Sequence, residues 1–436
     1  MDQSIVARPK QVPRRIAQLL VSPKAYARRT TLLSGFKWLR DNNPVARIEV
    51  DGFDPFWAVT RYSDIAKVSS NSALFRNGDR STTLVPKSSD EKIRRLRDGS
   101  PHMFRSLIQM DGPDHGSYRA IMQGWFTPHR IQQLEPLIRA VAREAIEASY
   151  RDAHSRFDAV PMARAYTINA LSNVLGVPEI DCSRLLRLTR LFFDIGEKRG
   201  TAPFRTPEDP ARHADVLSSV YSDFESYLLE LAKSRREGAR DNFIATLLNA
   251  KINDKPIAPL EAVSYFSLLA TAGHDTTASA IAGAIWALCE NRDELKKLQA
   301  NPGLIPRLVE EAVRWTTPVQ HFMRTAANDA RIGDQNIARG DWLMLCHLSG
   351  NRDERAFQNA DRFCISQDSR PSLAFGYGAH ICLGKYLAQT EIRVFFEELL
   401  AILTDMELVA RPQHSSSIFV GGPQRVPVRF ILQRPA

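Results

Sequence analysis

Near the C-terminal end, Phe375-Gly376-Tyr377-Gly378-Ala379-His380-Ile381-Cys382-Leu383-Gly384 sets one thiol among three glycines, seven residues after a phenylalanine. Glycines let backbone come close to something flat or charged, with no Cβ in the way. Cys382 stands just before a helix-forming run from Lys385 to Leu400. A helix N-terminus favours the charged form of a thiol, and the thiolate is the form that ligates metal. A second group lies about a hundred residues earlier. Ala270-Thr271-Ala272-Gly273-His274-Asp275-Thr276-Thr277 puts a glycine, an acid and two hydroxyls in the middle of an apolar helical run. Glycine there costs about 1 kcal/mol relative to alanine, and the hydroxyls compete for backbone partners. Small residues beside a distorted turn open a groove for a small molecule. Thr276 can donate to an oxygen bound there, and Asp275 can bring it protons from solvent.

Three further groups carry charge. His115 and Arg119, four apart, share one face of the helix that Met110-Asp111-Gly112-Pro113-Asp114 opens, with Asp111 or Asp114 as candidate N-cap. Glu311 and Arg314 are three apart on another helix, a spacing that on a surface gives a weak ion pair. Arg324 follows in Pro318 to Ala326, beside His321. Taken alone, each group has an ordinary reading: a buried structural cysteine, tight helix packing, solvated ion pairs.

The elements that must position these residues are mostly helical. From about Ile131 to Glu290 apolar residues recur three and four apart, as in Leu134/Leu137/Ile138/Val141 and Tyr227/Leu228/Leu231. Pro259 to Glu290 reads as one helix of roughly 30 residues, about 45 Å long. Glu197–Pro210 reads as a mobile connection and residues 77 to 105 as a long polar loop. Arg47–Val50 with Phe56–Thr60, Arg331–Ile337, and Val420-Gly421-Gly422-Pro423 are hairpin signals. The fold class is mainly α with small sheets (α+β), and no linker or repeat divides the 436 residues, so one domain over 1–436 is expected.

The net charge of +9 is concentrated near the N-terminus. Nine Lys or Arg and no acid lie between Gln3 and Arg40, whereas the rest, apart from Asp2, holds 49 basic and 48 acidic residues. Residues 1–40 therefore read as a basic, solvated arm with a short helix, interrupted by Pro9, Pro13 and Pro23. The near-neutral remainder predicts no nucleic-acid partner. Five scattered cysteines form no CxxC pair and predict neither a disulfide framework nor a zinc site, which suits a cytoplasmic location. No apolar run reaches the roughly 20 residues of a membrane span.

The loop Phe-Gly-x-Gly-x-His-x-Cys-x-Gly-x-x-Leu-Ala from Phe375 to Ala388 resembles the haem-binding loop of the cytochrome P450 superfamily. Ala272 to Thr277 is similar to that family's oxygen-activation motif. The resemblance implies a helix-rich prism with haem b between a long distal helix and the cysteine-bearing proximal helix. It implies Cys382 as axial ligand and His115, Arg119, Arg324 and His380 as propionate donors. Phe375, Gly376, Gly378, Gly384, Ala272 and Gly273 would line the haem. Glu311 and Arg314, joined by Arg362, would form a buried structural lock. Asp275 and Thr276 would protonate bound oxygen. Leu269, Val319, Phe322, Ile418 and Phe419 are pocket candidates.

The implied activity is monooxygenation of a small hydrophobic substrate with O2. No flavin or nicotinamide fingerprint is present, so two electrons would come from a [2Fe–2S] ferredoxin and its NAD(P)H-dependent reductase. The expected dock is near Cys382, with Lys385, Arg393, His129 and Arg130 offering charge. Phe36–Arg40, Ile305–Val309, Glu311–Thr316, Phe395–Leu400 and Phe419–Pro423 resemble in particular the bacterial terpineol-hydroxylating branch, which implies a monoterpene, its alcohol or another cyclic or aromatic hydrocarbon. A peroxide-driven haem-thiolate enzyme and a haem gas carrier are the alternatives. The Asp275-Thr276 pair argues against the first, and the proton relay and substrate lid argue against the second.

Overall fold

The computed structural model describes residues 11–152, 156–193, 210–234, 243–366 and 370–433. Helices dominate, and the largest core cluster lies among them. The Asp275–Glu290 helix runs through this core and packs against the Ala159–Leu175, Ile305–Thr316 and Lys385–Ile402 helices. Its Ala278, Ala280, Ala282 and Ala284 are all buried, and small side chains let these neighbours approach closely. A five-stranded sheet runs in the order Val45–Ile48, Phe56–Val59, Trp342–Leu345, Phe322–Ala326, Phe75–Arg76. Trp342–Leu345 pairs parallel to Phe56–Val59 and antiparallel to Phe322–Ala326. Smaller sheets include Leu403–Leu408 with Pro427–Leu432 and Arg156–Asp158.

The N-terminal region differs from the expected solvated arm. From Arg14 onward it forms three helices, Arg14–Val21, Pro23–Ala27 and Arg29–Asn42, which bury Ile16, Leu20, Tyr26, Leu32, Phe36 and Leu39 against the five-stranded sheet's cluster. Each large apolar side chain so buried contributes about 1.5–3 kcal/mol. Apolar residues at three- and four-residue spacing set the docked face, and the basic residues between them obscure it in a charge count. Arg40 is itself buried, bonded to Ser349 and Glu354.

Several other elements depart from expectation. Residues 77 to 105 contain the helix Lys87–Leu96, whose buried side is only Ser89 and Ile93, too narrow a stripe to stand out from sequence. The stretch from Pro259 to Glu290 is two helices, Pro259–Ala272 and Asp275–Glu290, separated by Gly273 and His274. Leu137 is exposed although Ile138 is buried. The Val420–Pro423 signal is not a tight turn: the strands it joins are Gln413–His414 and Pro423–Arg425. The predicted hairpins at 47–60 and 331–337 do form. All of Glu197–Pro210 except Pro210 lies outside the described residues. Among the described residues no helix is long and apolar enough to cross a membrane.

Candidate active site

The cysteine loop is held by its own backbone and by a neighbouring helix. Cys382 N–H donates to the Phe375 carbonyl at 2.7 Å, and Gly376 and Gly378 have φ of +74° and +71°. A Cβ on Gly378 would sit 2.4 Å from the Ser69 carbonyl oxygen, so glycine is required there on two counts. Gly384 caps the Lys385–Ile402 helix. Cys382 opens toward a cavity, while the crowded fold around it pushes its thiol pKa up. The Gly384 N–H, Arg119 and Lys385 pull it down. A bound metal ion would make this sulfur a thiolate outright.

Four bases converge beside it. His115 and His380 have ring centroids 4.1 Å apart, and both line the cavity with Arg119 and Arg324. Arg119 also donates to the Ile381 carbonyl at 2.9 Å, which ties the Gly112–Gln123 helix to the loop. Strand alternation puts Phe322 and Arg324 on one face, toward the cavity, and buries Met323 on the other. His115 Nε2 is buried without a partner among the described residues. Burial, then the charges of Arg324, His115 and Arg119, pushes His380 down to about 2; burial pushes Arg324 down to about 10. The nearby Asp111 opposes the downward shifts at Arg324 and His115 through its charge, and it stands at the N-cap of its helix without a side-chain cap bond. Its carboxylate accepts from the Asn77 and Gly78 amides. Asp114 pairs with Arg105 instead.

The opposite wall is the helix break. Leu269, Ala272, Gly273 and Thr276 line the cavity. A Cβ on Gly273 would meet the Leu269 carbonyl at 2.8 Å and Leu171 at 2.9 Å. The Thr276 hydroxyl donates to the Ala272 carbonyl at 2.9 Å. Buried His274 faces Ala270 O at 3.1 Å and Thr189 Oγ1 at 3.3 Å. Asp275 does not line the cavity; Arg164 Nε donates to it at 2.6 Å.

Among the pocket candidates, Leu269, Val319 and Phe322 line the cavity and Ile418 and Phe419 do not. Phe419 stands behind Phe322, ring centroids 5.5 Å apart, and Ile418 packs into the N-terminal cluster. His321 is structural. Its Nε2 accepts from Leu84 N–H and its Nδ1–H donates to the Ile418 carbonyl, which joins two distant segments.

Of the residues expected to form the lock, Glu311 and Arg314 meet, and Arg362 takes a different part. Arg314 and Glu311 are both buried and meet through two bonds of 2.7 Å. Arg362 contributes its backbone carbonyl, 2.8 Å from Arg314 Nη2, and not its guanidinium, which is exposed. Arg393, expected to offer free charge, is held by Glu135 at 2.5 Å and Glu397 at 2.8 Å.

Sequence reasoning missed Glu391, fully buried on the Lys385–Ile402 helix with the Thr277 hydroxyl nearby but, among the described residues, neither carboxylate oxygen in a well-formed hydrogen bond. Burial holds its pKa well above the carboxylate range, opposed only by the Thr277 hydroxyl. A raised folded-state pKa gives stability that is complete below the unfolded value of 4.5 and lost as pH rises toward the folded value. A Glu391→Gln variant is therefore expected to match the parent near pH 4.5 and to be more stable at neutral pH by up to a few kcal/mol. Thermal unfolding across that range measures it; a pH-independent difference would show that the carboxyl is not strained by ionisation.

The donor set defines what fits between the two walls. Four bases without a matching acid, one with an orphaned nitrogen, suit a guest bearing two carboxylates. Glycines admit a flat body, and one thiol faces it. Haem b has these features.

The sequence profile of the family described as Cytochrome P450 matches residues 86–302 and 303–404. Cytochrome P450-terp of Pseudomonas sp is 38% identical over 424 residues, 96% of this chain and 98% of that protein. Linalool 8-monooxygenase of Pseudomonas putida is 32% identical over 404 residues, 91% of this chain and 95% of that protein. The crystal structure of CYP108D1 from Novosphingobium aromaticivorans superposes with a TM-score of 0.88 at 34% identity, covering 97% of this chain and 100% of that one.

Proposed function

This chain belongs to the cytochrome P450 family, a haem b-dependent monooxygenase family with cysteine-thiolate ligation, and from that premise we propose that it hydroxylates a small monoterpene or monoterpene alcohol. The observation that carries the site assignment is the base cluster of His115, Arg119, Arg324 and His380 beside Cys382.

Cys382 would ligate the haem iron through its sulfur, which the Gly384 N–H tempers. The four bases would hold the two propionates through charge-assisted bonds. Phe375, Gly376 and Gly384 shape the proximal wall, and Ala272 and Gly273 the distal one; Gly378 does not line the cavity and packs against Ser69 instead. When bound, the thiolate-ligated haem supplies oxygen activation and O–O cleavage. The chain supplies position and protons. Leu268, Leu269, Val319 and Phe322 exclude water and orient an apolar substrate. Thr276 holds a proton at Oγ1 and turns from the Ala272 carbonyl toward a guest in the cavity. Asp275 swings off Arg164 to bring the next proton from solvent. Glu311 and Arg314 are structural. We read the chain as one domain built around this site.

Electrons come from a [2Fe–2S] ferredoxin with an NAD(P)H-dependent reductase, docking on the Cys382 side near Lys385, His129 and Arg130. Arg393 drops out of that surface because Glu135 and Glu397 neutralise it. The name of the linalool-oxidising relative and the apolar cavity lining support a terpene substrate. The test is a binding screen of α-terpineol, linalool and simple aromatic hydrocarbons, read by the iron spin-state shift. Product analysis follows with a reconstituted ferredoxin chain. Terpene alcohols are expected to give the largest shift and a single hydroxylated product. A larger shift and faster turnover with aromatic hydrocarbons would overturn the substrate assignment.

A further inference from the structure

The segment between the Lys87–Leu96 and Gly112–Gln123 helices carries one wall of the active-site cavity. Leu107 and Ile108 line the cavity from this segment, and Leu268 and Leu269 line it from the Pro259–Ala272 helix. Both pairs are aliphatic, and apolar contact is non-directional, so their own chemistry does not fix how far apart they stand.

Arg105 joins the two walls. Its backbone N–H donates to Ser264 Oγ at 3.0 Å, and one guanidinium arm donates to Glu261. The other arm donates to Asp114 Oδ2 at 2.9 Å, in the first turn of the following helix. Glu261 also accepts from the Tyr118 hydroxyl, and the Tyr118 ring lies 5.8 Å from the Arg105 guanidinium. Ser264 is buried, one helical turn before Leu268. The clasp thus sits just ahead of the cavity-lining residues in both segments. On its outer side Met103 and Phe104 pack with Ile93 against Leu217 and Tyr221 of the Pro210–Ser234 helix. Beyond Leu107, Asn77 Nδ2 donates to the Ile108 carbonyl at 2.9 Å.

The ordinary account is a structural ion pair. It suits the arm on Asp114, where both side chains are about half exposed and such a pair contributes little. It does not explain Glu261, which is 9% exposed and is the one charged residue of the Pro259–Ala272 helix. A buried ion pair is often no more stabilising than apolar side chains of the same volume, whereas its bonds accept a single register. The packing of Phe104 against Tyr221, ring centroids 5.6 Å apart, tolerates small slides that bonds to Glu261 and Ser264 do not.

We propose that the clasp of Arg105 on Glu261 and Ser264 is a specificity determinant: it fixes the spacing of the Leu107–Ile108 wall from the Leu268–Leu269 wall and so sets how wide a guest the active-site cavity admits. Arg105, Glu261 and Ser264 are positioning residues that act through the four aliphatic side chains. The inference rests on the monooxygenase reading of this cavity and is independent of which substrate is oxidised.

The test titrates the haem-loaded enzyme with three iron-ligating azoles of increasing width, read by the Soret shift that a nitrogen ligand causes: imidazole, 4-phenylimidazole and clotrimazole, which carries a triphenylmethyl group. Arg105→Gln frees the segment, and its affinity for clotrimazole relative to 4-phenylimidazole is expected to rise about tenfold, with imidazole binding unchanged. Ser264→Ala removes only the bond from the Arg105 N–H and should move the ratio severalfold in the same direction, which tests the clasp even where the arginine variant folds poorly. Arg105→Lys keeps a charge beside Glu261 and should restore most of the parent ratio. Arg429→Gln breaks the Arg429–Glu407 pair of a separate sheet and should leave the ratio as it is. An unchanged ratio in Arg105→Gln and Ser264→Ala would overturn the proposal. So would an equal change for imidazole, which reports a general loosening of the iron site, or an equal shift of the ratio in Arg429→Gln. No Soret shift with imidazole in the parent would overturn the monooxygenase reading itself, and this inference with it.

Discussion

Replacing Arg314 with alanine is expected to destabilise the fold by about 3–5 kcal/mol and to abolish haem retention. All five guanidinium N–H groups of Arg314 are used: two on Glu311, and one each on the carbonyls of Asn351, Ala360 and Arg362. Glu311 also accepts from the Cys364 N–H at 2.8 Å. The pair therefore binds the Ile305–Thr316 helix to four points of the segment that leads into the cysteine loop. Removing the arginine leaves a buried carboxylate without its counter-charge and three carbonyls short of a donor. Lysine cannot replace it, since an ammonium has three donors and no fork geometry. Urea unfolding together with the haem-to-protein absorbance ratio measures both effects. A loss below about 1 kcal/mol, the range of an exposed ion pair, would mean that the network does not hold the loop.

A Thr276→Ala variant is expected to bind substrate as the parent does and to consume reducing equivalents at a similar rate, yet to lose about tenfold or more of product per electron pair. The missing share should appear as hydrogen peroxide. Thr276 lines the cavity and its hydroxyl bonds only the carbonyl one turn back, so deletion removes a proton holder with little effect on packing. In the proposed path Asp275 acts through it: its carboxylate is tied to Arg164, 111 residues away in the chain, and cannot replace the hydroxyl from that position. Peroxide and product assays on one sample separate coupling from binding. Unchanged coupling would remove Thr276 from the protonation path.

The parts of the site legible in sequence are those whose chemistry sits in short spacing. Cys382 and its glycines, the Gly273–Thr277 break and the Glu311–Arg314 pair each fall within one turn or loop. The parts that were not legible depend on what distant segments bring. Nothing near Asp275 names Arg164 as its partner, and nothing near Arg314 shows that Arg362 offers a carbonyl. Glu391 looks like one more charge on a helix until its neighbours bury it. The same holds for the fold. The N-terminal helices carry their apolar stripe under a run of arginines and lysines, so a charge count reads as an arm what packing makes a docked layer. Ile418 and Phe419 were misplaced because a coil segment has no periodicity to say which side faces the cavity.

The central claim is that Cys382 is the axial thiolate of a haem that activates oxygen, and the reduced, CO-saturated absorption spectrum tests it most directly. The purified protein is expected to show the red-shifted Soret band of thiolate-ligated haem, and Cys382→Ser to lose it. A Soret band at the position typical of nitrogen-ligated haem in the folded parent, or a red-shifted band that survives in Cys382→Ser, would contradict the claim.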